Sequence, residues 1–314
     1  MTAAEPAEPA RPRVLALVGP TGAGKTALGI ALAERFEAEI VNADSRQVYR
    51  RLDIGSAKPT PAQRARVRHH VLDVAEPDEQ FDCARYRTLA LAAITDIVGR
   101  GRRVLVVGGT GLYVKVLLRG VFAGPSRDPA LRARLAAAEA ACPGALHRRL
   151  CALDPVTAAG VHPHDRVRLI RALEIFELTG RPISDWRAAH AFAERRFTTC
   201  LLALDVPRAA LYRRIDARCQ VMIAAGLVGE VQGLLAAGLD PAVPALQSPG
   251  YREIGEYLRG LCDLPTAVAR MARATRRLAK RQLTWFRNDS EVAWCVPDLD
   301  ALAQRAAAFW AAPR

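Results

Sequence analysis

The feature that most constrains the fold is a glycine-rich loop at residues 19–26, which reads GPTGAGKT. It follows an apolar, strand-like run and precedes a helical pattern, which is the context of a phosphate-binding P-loop. Glycines let backbone amides face phosphate oxygens, and the helix N-terminus adds positive potential. Lys25 supplies a point charge, and the hydroxyl of Thr26 is a predicted ligand of Mg²⁺. The sequence predicts that a diphosphate or triphosphate is bound by Gly19, Pro20, Thr21, Gly22, Ala23, Gly24, Lys25 and Thr26.

Apolar, β-branched runs alternate with helical patterns along the chain, which predicts an α/β fold: a P-loop NTPase-like parallel sheet flanked by helices. Five buried strands are predicted at Val14–Gly19, Glu39–Asp44, Val104–Gly108, Leu201–Val206 and Val292–Val296. The long stretch between the third and fourth of these has only helical patterns, whereas a crossover needs about a dozen residues. We therefore expect an inserted all-helical domain at 126–196, a P-loop core at 13–125 and 197–314, and a disordered tail at 1–12.

The net charge and the cysteine content indicate which class of partner the protein binds and in which compartment it is found. The net charge of +13 attracts polyanions such as nucleic acid, although an arginine-rich composition alone gives the same excess. The seven cysteines include no C-x-x-C pair, which argues against a disulfide framework or a zinc site. No apolar run reaches the roughly 18–20 residues needed to cross a bilayer. We expect a cytoplasmic protein without a membrane association.

The placement of the charge favours a polyanion. No acidic residue occurs from Pro265 to Asn288, whereas a solvated helix usually mixes both signs. Within this predicted helix Arg273, Arg277 and Lys280 share one face by their spacing. Trp285 and Phe286 are expected in the core.

The roles of two aspartates, Asp44 and Asp205, stay open from the sequence alone. Residues 42–49 read NADSRQVY after the second predicted strand, so Asp44 is expected to face the P-loop ligand, or else to cap the next turn. P-loop kinases need an acid after an apolar strand to organise metal, but the third predicted strand is followed by Gly108-Gly109-Thr110. In a kinase, Asp205 at the end of LLALD would have to serve.

Several stretches, taken together and in order, resemble the tRNA dimethylallyltransferases, also called tRNA isopentenyltransferases. They cover most of the chain from residue 14 to about 290. Two departures are Ser56, where that family usually has Thr, and Ser248-Pro249 before Gly250. The matching stretches are GPTGAGKT (19–26), NADSRQVYRRLDIGSAKP (42–59), HHVLD (69–73), VGGTGLY (107–113), HPHDRVRLIRALE (162–174), PGYREI (249–254) and TRRLAKRQLTWFR (275–287).

The resemblance implies a reaction and its partners. A dimethylallyl group would pass from dimethylallyl diphosphate to N6 of adenine 37 in the anticodon stem-loop of tRNA, with Mg²⁺ assisting and diphosphate leaving. The P-loop would then hold a leaving group, which explains why no acid follows the third strand. The implied catalytic residues are Asp44 as general base, Lys25 and Arg218 at the diphosphate, and Thr110. The implied tRNA-binding residues are Asp44, Ser45, Arg46, Gln47, Thr110, Arg168, Arg171, Gln247, Gly250, Tyr251, Arg252, Arg277 and Lys280.

Three alternatives compete with this interpretation. An adenylate isopentenyltransferase modifies a free nucleotide and would not need the basic helix or the helical insertion. A P-loop small-molecule kinase would use Asp205 for metal. A non-catalytic RNA-binding module would have no use for the P-loop. We expect the protein to act as a monomer.

Overall fold

The computed structural model describes residues 11–122, 124–191 and 193–312. Of the tail expected at 1–12, residues 1–10 lie outside this part, and the carbonyl of Pro12 accepts a hydrogen bond from the amide of Thr198 at 3.0 Å. Contacts divide the chain into two compact units, and the smaller one is Arg119–Arg195. The sequence had placed this helical insertion at 126–196.

Six strands of the described residues form one sheet in the order β3-β2-β4-β1-β5-β6, and every pairing is parallel. The central strands are buried along nearly their whole length, because helices cover both faces of the sheet. The predicted fold class is confirmed. The strands are β1 (Arg13–Val18), β2 (Ala38–Asn42), β3 (His69–His70), β4 (Arg103–Gly108), β5 (Thr198–Leu204) and β6 (Val292–Cys295).

Helices occupy most of the remaining described chain. Several begin at an aspartate whose carboxylate accepts a backbone amide of the first turn; Asp82 and Asp263 are two examples. The helices are α1 (Lys25–Arg35), α2 (Pro61–Arg66), α3 (Cys83–Gly99), α4 (Gly111–Arg119), α5 (Pro129–Ala141), α6 (Ala145–Leu153), α7 (Pro155–Ala159), α8 (Arg166–Thr179), α9 (Ile183–His190), α10 (Arg208–Ala224), α11 (Leu227–Ala236), α12 (Tyr251–Leu258), α13 (Leu264–Arg287) and α14 (Leu299–Ala311).

The smaller unit has a core of its own, built from α5 to α9. Leucines such as Leu131, Leu150 and Leu169 are buried there. Glu174 is fully buried in the same unit and accepts hydrogen bonds from the amide of Asp128 and from the guanidinium group of Arg132. These contacts stabilise the first turn of α5 against α8.

No single helix in the described part of the chain is long and apolar enough to cross a bilayer. The pair α10 and α11, bent by 59° where they meet, passes that test only when the two are taken together.

Candidate active site

The loops after β1, β2 and β4 meet at the carboxyl edge of the sheet. Val18 at the end of β1 pairs with Gly108 at the end of β4, and Asn42 at the end of β2 pairs with Val107. A cavity opens above this edge, and α10 and α13 form its other walls. Its lining residues are Thr21, Asp44, Ser45, Arg46, Gly55, Ser56, Ala57, Thr110, Arg218, Cys219, Met222, Gln247, Ser248, Pro249, Met271, Thr275, Leu278, Arg281 and Gln282.

The P-loop forms the floor of the site between β1 and α1. Gly22 and Gly24 adopt φ values of 86° and 94°, which a side chain would strain, and Gly24 directly precedes the first turn of α1. The ammonium group of Lys25 donates to the carbonyl of Pro20 at 2.9 Å, within its own loop. This arrangement leaves the charge of Lys25 beside the loop amides that are expected to face a phosphate.

Two cations stand at this loop. The guanidinium group of Arg218, from α10, donates to the hydroxyl of Thr21. Burial lowers the pKa of Lys25 to about 8; nearby Asp44 opposes this effect and Arg218 adds to it. Burial also lowers the pKa of Arg218. Poorly solvated cations bind an anion strongly, because little water has to be removed when the anion arrives.

Asp44 lies just beyond β2 and combines the two roles that the sequence left open. One carboxylate oxygen accepts the amide of Arg46 at 2.8 Å, which caps the turn after the strand. The amide of Asp44 donates to Asn42 at 3.2 Å. The same carboxylate group lines the cavity. A turn cap of this kind holds the carboxylate in a fixed place and leaves its second oxygen able to accept a further hydrogen bond.

Thr110 connects the loop after β4 to the loop after β2. Its amide donates to the carbonyl of Ala43 at 3.0 Å, and its hydroxyl accepts the amide of Ser45 at 2.9 Å. Gly108 makes this approach possible, since a Cβ there would lie 2.2 Å from the carbonyl oxygen of Ala43. The hydroxyl proton of Thr110 remains available to a ligand acceptor in the cavity.

Both ends of the segment 44–58, which we call the arch, line the cavity. Hydrogen bonds within the segment and to Pro244 hold it in place. Gln47 donates to the carbonyls of Ser56 and Ala57 at 3.2 and 3.0 Å, so its side-chain amide is engaged inside the arch. Arg46 donates to the carbonyl of Pro244 at 2.9 Å. Lys58 is buried and donates to the carbonyl of Tyr49 at 2.8 Å.

Glu230 on α11, which the sequence analysis did not single out, stabilises the middle of the arch. Its carboxylate accepts three consecutive amides, from Asp53 at 3.1 Å, Ile54 at 2.7 Å and Gly55 at 3.1 Å. The hydroxyl of Tyr251 donates to the same carboxylate at 2.6 Å. The signal in the sequence was weak, because a glutamate on a helix is usually solvated.

The predicted tRNA contacts at 247–252 differ in exposure. Gln247 and Arg252 are exposed, as an RNA contact requires. Tyr251 is only 1 % exposed, and Gly250 is buried with it. The ring of Tyr251 fills the space that a side chain at Gly55 would need. Burial therefore argues against direct tRNA contact at Gly250 and Tyr251. The ring of Tyr251 instead packs against Gly55 in the arch.

The basic helix α13 has one exposed face and one that reaches the site. Arg273, Arg277 and Lys280, which the spacing places on one face, are all exposed. Phe286 is 2 % exposed and belongs to the core. The prediction for Trp285 was wrong: this side chain is 38 % exposed, because it packs on the surface of Gly111 instead of inside the core.

Gln282 is the second residue that the sequence analysis missed. It lies on α13 and bonds to both the P-loop and the loop after β4, through the amide of Thr21 and the carbonyl of Gly109. A neutral glutamine between Arg281 and Leu283 carries no charge pattern that would have marked it.

Arg168 and Arg171, on α8, belong to the smaller unit. Arg168 is exposed and lies 3.3 Å from the carboxylate of Asp165. Arg171 is engaged within its unit, where it donates to buried Glu174 at 2.7 Å and to the carbonyl of Pro125 at 3.0 Å. Of the two, Arg168 has the guanidinium group more open to a phosphate.

The described residues include no group of three or more His, Cys, Asp or Glu side chains placed to hold a metal ion. Thr26 supplies a hydroxyl in the first turn of α1, and Asp44 supplies a carboxylate in the cavity. Hard oxygen donors of this kind suit Mg²⁺, which commonly takes its other ligands from phosphate and water. Asp205 is exposed after β5 and is not among the residues that line the cavity.

Comparison with known proteins gives a consistent result. The family model described as IPP transferase matches residues 47–289. A tRNA dimethylallyltransferase of Anaeromyxobacter sp. strain K is 53 % identical over 297 residues, which cover 93 % of this chain and 96 % of that protein. The tRNA dimethylallyltransferase 2 of Geotalea uraniireducens is 50 % identical over 283 residues, 90 % of this chain and 91 % of that protein.

Solved structures agree with these relatives. The full-length tRNA isopentenylpyrophosphate transferase of Bacillus halodurans superposes with a TM-score of 0.70 at 38 % identity and covers 95 % of both chains. A eukaryotic dimethylallyltransferase described as acting on tRNA gives a TM-score of 0.78 at 28 % identity, over 95 % of this chain and 78 % of that one.

Proposed function

The chain belongs to the IPP transferase family, and we propose that it transfers a dimethylallyl group from dimethylallyl diphosphate to N6 of adenine 37 in tRNA. The products are N6-dimethylallyladenosine in the tRNA and free diphosphate. The observation that carries the proposal is the meeting of two half-sites in one cavity. Thr21 of the P-loop and the guanidinium group of Arg218 line the same cavity as Asp44 and Thr110, which follow neighbouring strand ends.

The P-loop side suits a diphosphate leaving group. As the carbon–oxygen bond breaks, negative charge grows on the departing oxygen, and preplaced cations and amides stabilise it most. Lys25, Arg218 and the loop amides supply these groups. The apolar side chains of Met222, Met271 and Leu278, which line the same cavity, offer a surface for the five-carbon chain.

The strand-end side suits an adenine. The exocyclic amine is a poor nucleophile because its lone pair is delocalised into the ring, so removal of its proton assists attack. Asp44 accepts that proton as the new carbon–nitrogen bond forms, a contribution of about 10²–10⁴-fold for general bases. Thr110, whose hydroxyl is oriented by Ser45, donates to a ring nitrogen of the base. Ser45 and Arg46 flank the same opening.

We propose that Mg²⁺ accompanies the diphosphate, with the hydroxyl of Thr26 as its protein ligand. The ion would neutralise phosphate charge when bound.

For tRNA we propose that the anticodon stem-loop is held by exposed basic and polar side chains around the cavity and on the helical insertion. Arg277 and Lys280 are exposed on α13, and Arg168 on α8 of the smaller unit. Gln47 bonds within the arch, Tyr251 bonds to Glu230, which holds the arch, and Gly250 is buried. We further propose that the enzyme acts on tRNA in the cytoplasm, as a monomer.

Radiolabelled dimethylallyl diphosphate tests this function directly. The protein is incubated with Mg²⁺ and either unmodified tRNA or AMP. Label in tRNA at adenine 37 is the expected result, and label in AMP would instead identify an adenylate isopentenyltransferase. If neither is labelled and ATP is consumed when a small molecule is added, the kinase alternative with Asp205 replaces the proposal.

The Lys25→Ala variant tests the diphosphate site separately from tRNA binding. Its kcat/KM should fall by roughly 10²-fold or more, because a preplaced charge at the leaving group is lost. Its affinity for tRNA should stay close to that of the unaltered protein. Turnover near normal in this variant would contradict the assignment of the P-loop to the leaving group.

A further inference from the structure

The side-chain amide of Gln282 joins two loops that otherwise have separate roles. Its oxygen accepts the amide of Thr21 in the P-loop at 2.8 Å. Its nitrogen donates to the carbonyl of Gly109, in the loop after β4, at 2.9 Å. The orientation of the side chain is fixed by chemistry, because a backbone N–H can only donate and a carbonyl can only accept.

Packing holds Gln282 rigidly at this point. Ala279 and Phe286 lie three residues before and four after it on α13, and both are buried. Residues at these spacings share one face of a helix, so the face that carries Gln282 is anchored in the core. Gly109 accepts the close approach because it lacks a side chain: a Cβ there would lie 2.4 Å from the amide nitrogen of Gln282.

Each loop that Gln282 contacts carries functional groups of one half-site. On the P-loop side, Thr21 also receives the guanidinium group of Arg218. On the other side, Gly109 precedes Thr110, whose hydroxyl accepts the amide of Ser45. One carboxamide therefore stands between the groups for the diphosphate and the groups for the adenine.

We propose that Gln282 is a positioning residue that sets the distance between the leaving-group loop and the adenine loop. This inference rests on the proposed function, which assigns the two loops to the two substrates. Group transfer requires the reacting atoms to be aligned at about 3–3.5 Å, and a misplacement of about 1 Å can lower the rate roughly 10²-fold. Gln282 lines the cavity, and its amide oxygen and nitrogen bond to the backbone of the two loops, so the proposed effect passes through that backbone.

The geometry restricts which residues can do this. Asparagine is one methylene too short to reach both loops from the same helix position. Glutamate keeps the acceptor for Thr21 but has no proton for the carbonyl of Gly109 when ionised, and it brings negative charge next to the diphosphate. Methionine has a similar length and shape and makes neither strong hydrogen bond.

The test compares Gln282→Met with Gln304→Met, a control on the exposed face of α14. We measure thermal stability, the dissociation constants for dimethylallyl diphosphate and for an anticodon stem-loop RNA, and the single-turnover rate with both substrates saturating. In Gln282→Met the single-turnover rate should fall by roughly 10- to 100-fold. Both dissociation constants should stay within about threefold of the unaltered protein, and the control should match it throughout.

A second variant keeps the test decisive if Gln282→Met fails to fold. Gly109→Ala disturbs the same contact from the opposite loop, and the same loss of rate with retained binding is expected. A folded variant at either position that keeps the full single-turnover rate would overturn the inference, and so would loss of binding for one substrate alone. An unaltered protein that labels no tRNA would overturn the proposed function itself, and the inference with it.

Discussion

We expect the binding of dimethylallyl diphosphate to depend on pH through the ammonium group of Lys25. Burial lowers its pKa from 10.5 to about 8, with Asp44 opposing and Arg218 reinforcing the change. Since one pKa unit corresponds to about 1.4 kcal/mol, the folded protein holds this charge at a disadvantage of roughly 3 kcal/mol. A bound diphosphate supplies the missing negative charge and raises the pKa again in the complex.

The sign of the effect follows from proton linkage. Below about pH 8 Lys25 is already protonated, so the dissociation constant should be nearly flat. Above it, binding must take up a proton, and the dissociation constant should rise about tenfold per pH unit, or roughly 30-fold from about pH 7 to about pH 9.5. Folding of the free protein behaves oppositely: between about pH 8 and 10.5 the unfolded chain holds the extra proton, so this group's contribution to stability rises with pH.

Calorimetric titration without tRNA measures both the dissociation constant and the proton uptake, since the observed heat then depends on the ionisation enthalpy of the buffer. Lys25→Arg is the matched variant, because a guanidinium group stays charged throughout the range and should remove the slope. Burial raises the pKa of Cys219, which lines the same cavity, so ionisation of that thiol is shifted to higher pH. A flat profile in the unaltered protein, or an unchanged slope in Lys25→Arg, would refute the reasoning.

Three further predictions address the other half of the site. Asp44→Asn should lower kcat by about 10²–10⁴-fold while both substrates still bind, and loss of tRNA binding or of the fold would show that Asp44 is not the base. Glu230→Gln should raise KM for tRNA and lower the melting temperature, because one carboxylate oxygen becomes a donor that faces backbone amides, while the affinity for diphosphate should not change. Glu256→Gln on α12 is the control, and equal effects in both variants would contradict the role of the arch. Arg277→Gln combined with Lys280→Gln should flatten the slope of log K against log salt by roughly one to two units for all tRNAs alike. An intact slope with a raised KM for dimethylallyl diphosphate would mean that this face of α13 serves the diphosphate instead.

The sheet and the P-loop were predictable because they depend on local signals. Buried parallel strands need continuous apolar runs, and the loop needs glycine at fixed positions, so both are visible in a single stretch of sequence. The strand β3 was missed because two residues show no alternation. Its side chains are also polar: His70 forms a hydrogen bond with the carboxylate of Glu39 at 2.7 Å, a polar contact that no hydrophobic pattern reveals.

The support of the site was not predictable, because it depends on contacts between distant parts of the chain. Glu230 and Gln282 act on loops far away in sequence, and neither stands in an unusual local pattern. The burial of Tyr251 and the exposure of Trp285 could not be predicted for the same reason. Both are aromatic residues in matching family stretches, yet Tyr251 is buried beneath the arch and Trp285 lies partly in solvent. Which aromatic residue is covered depends on what packs against it.

The loop after β4 shows how a site with a P-loop can dispense with the acid that a kinase places there. In this position the chain has glycines, and their lack of side chains is what α13 requires. A Cβ at Gly109 would meet Gln282 at 2.4 Å, and a Cβ at Gly111 would meet the ring of Trp285 at 2.0 Å. A carboxylate side chain at Gly109 would therefore displace Gln282 and break the hydrogen bond to the amide of Thr21. A kinase needs a carboxylate after this strand to hold a metal. This chain instead has glycines there, which leave space for α13, whose Gln282 connects the loop after β4 to the P-loop.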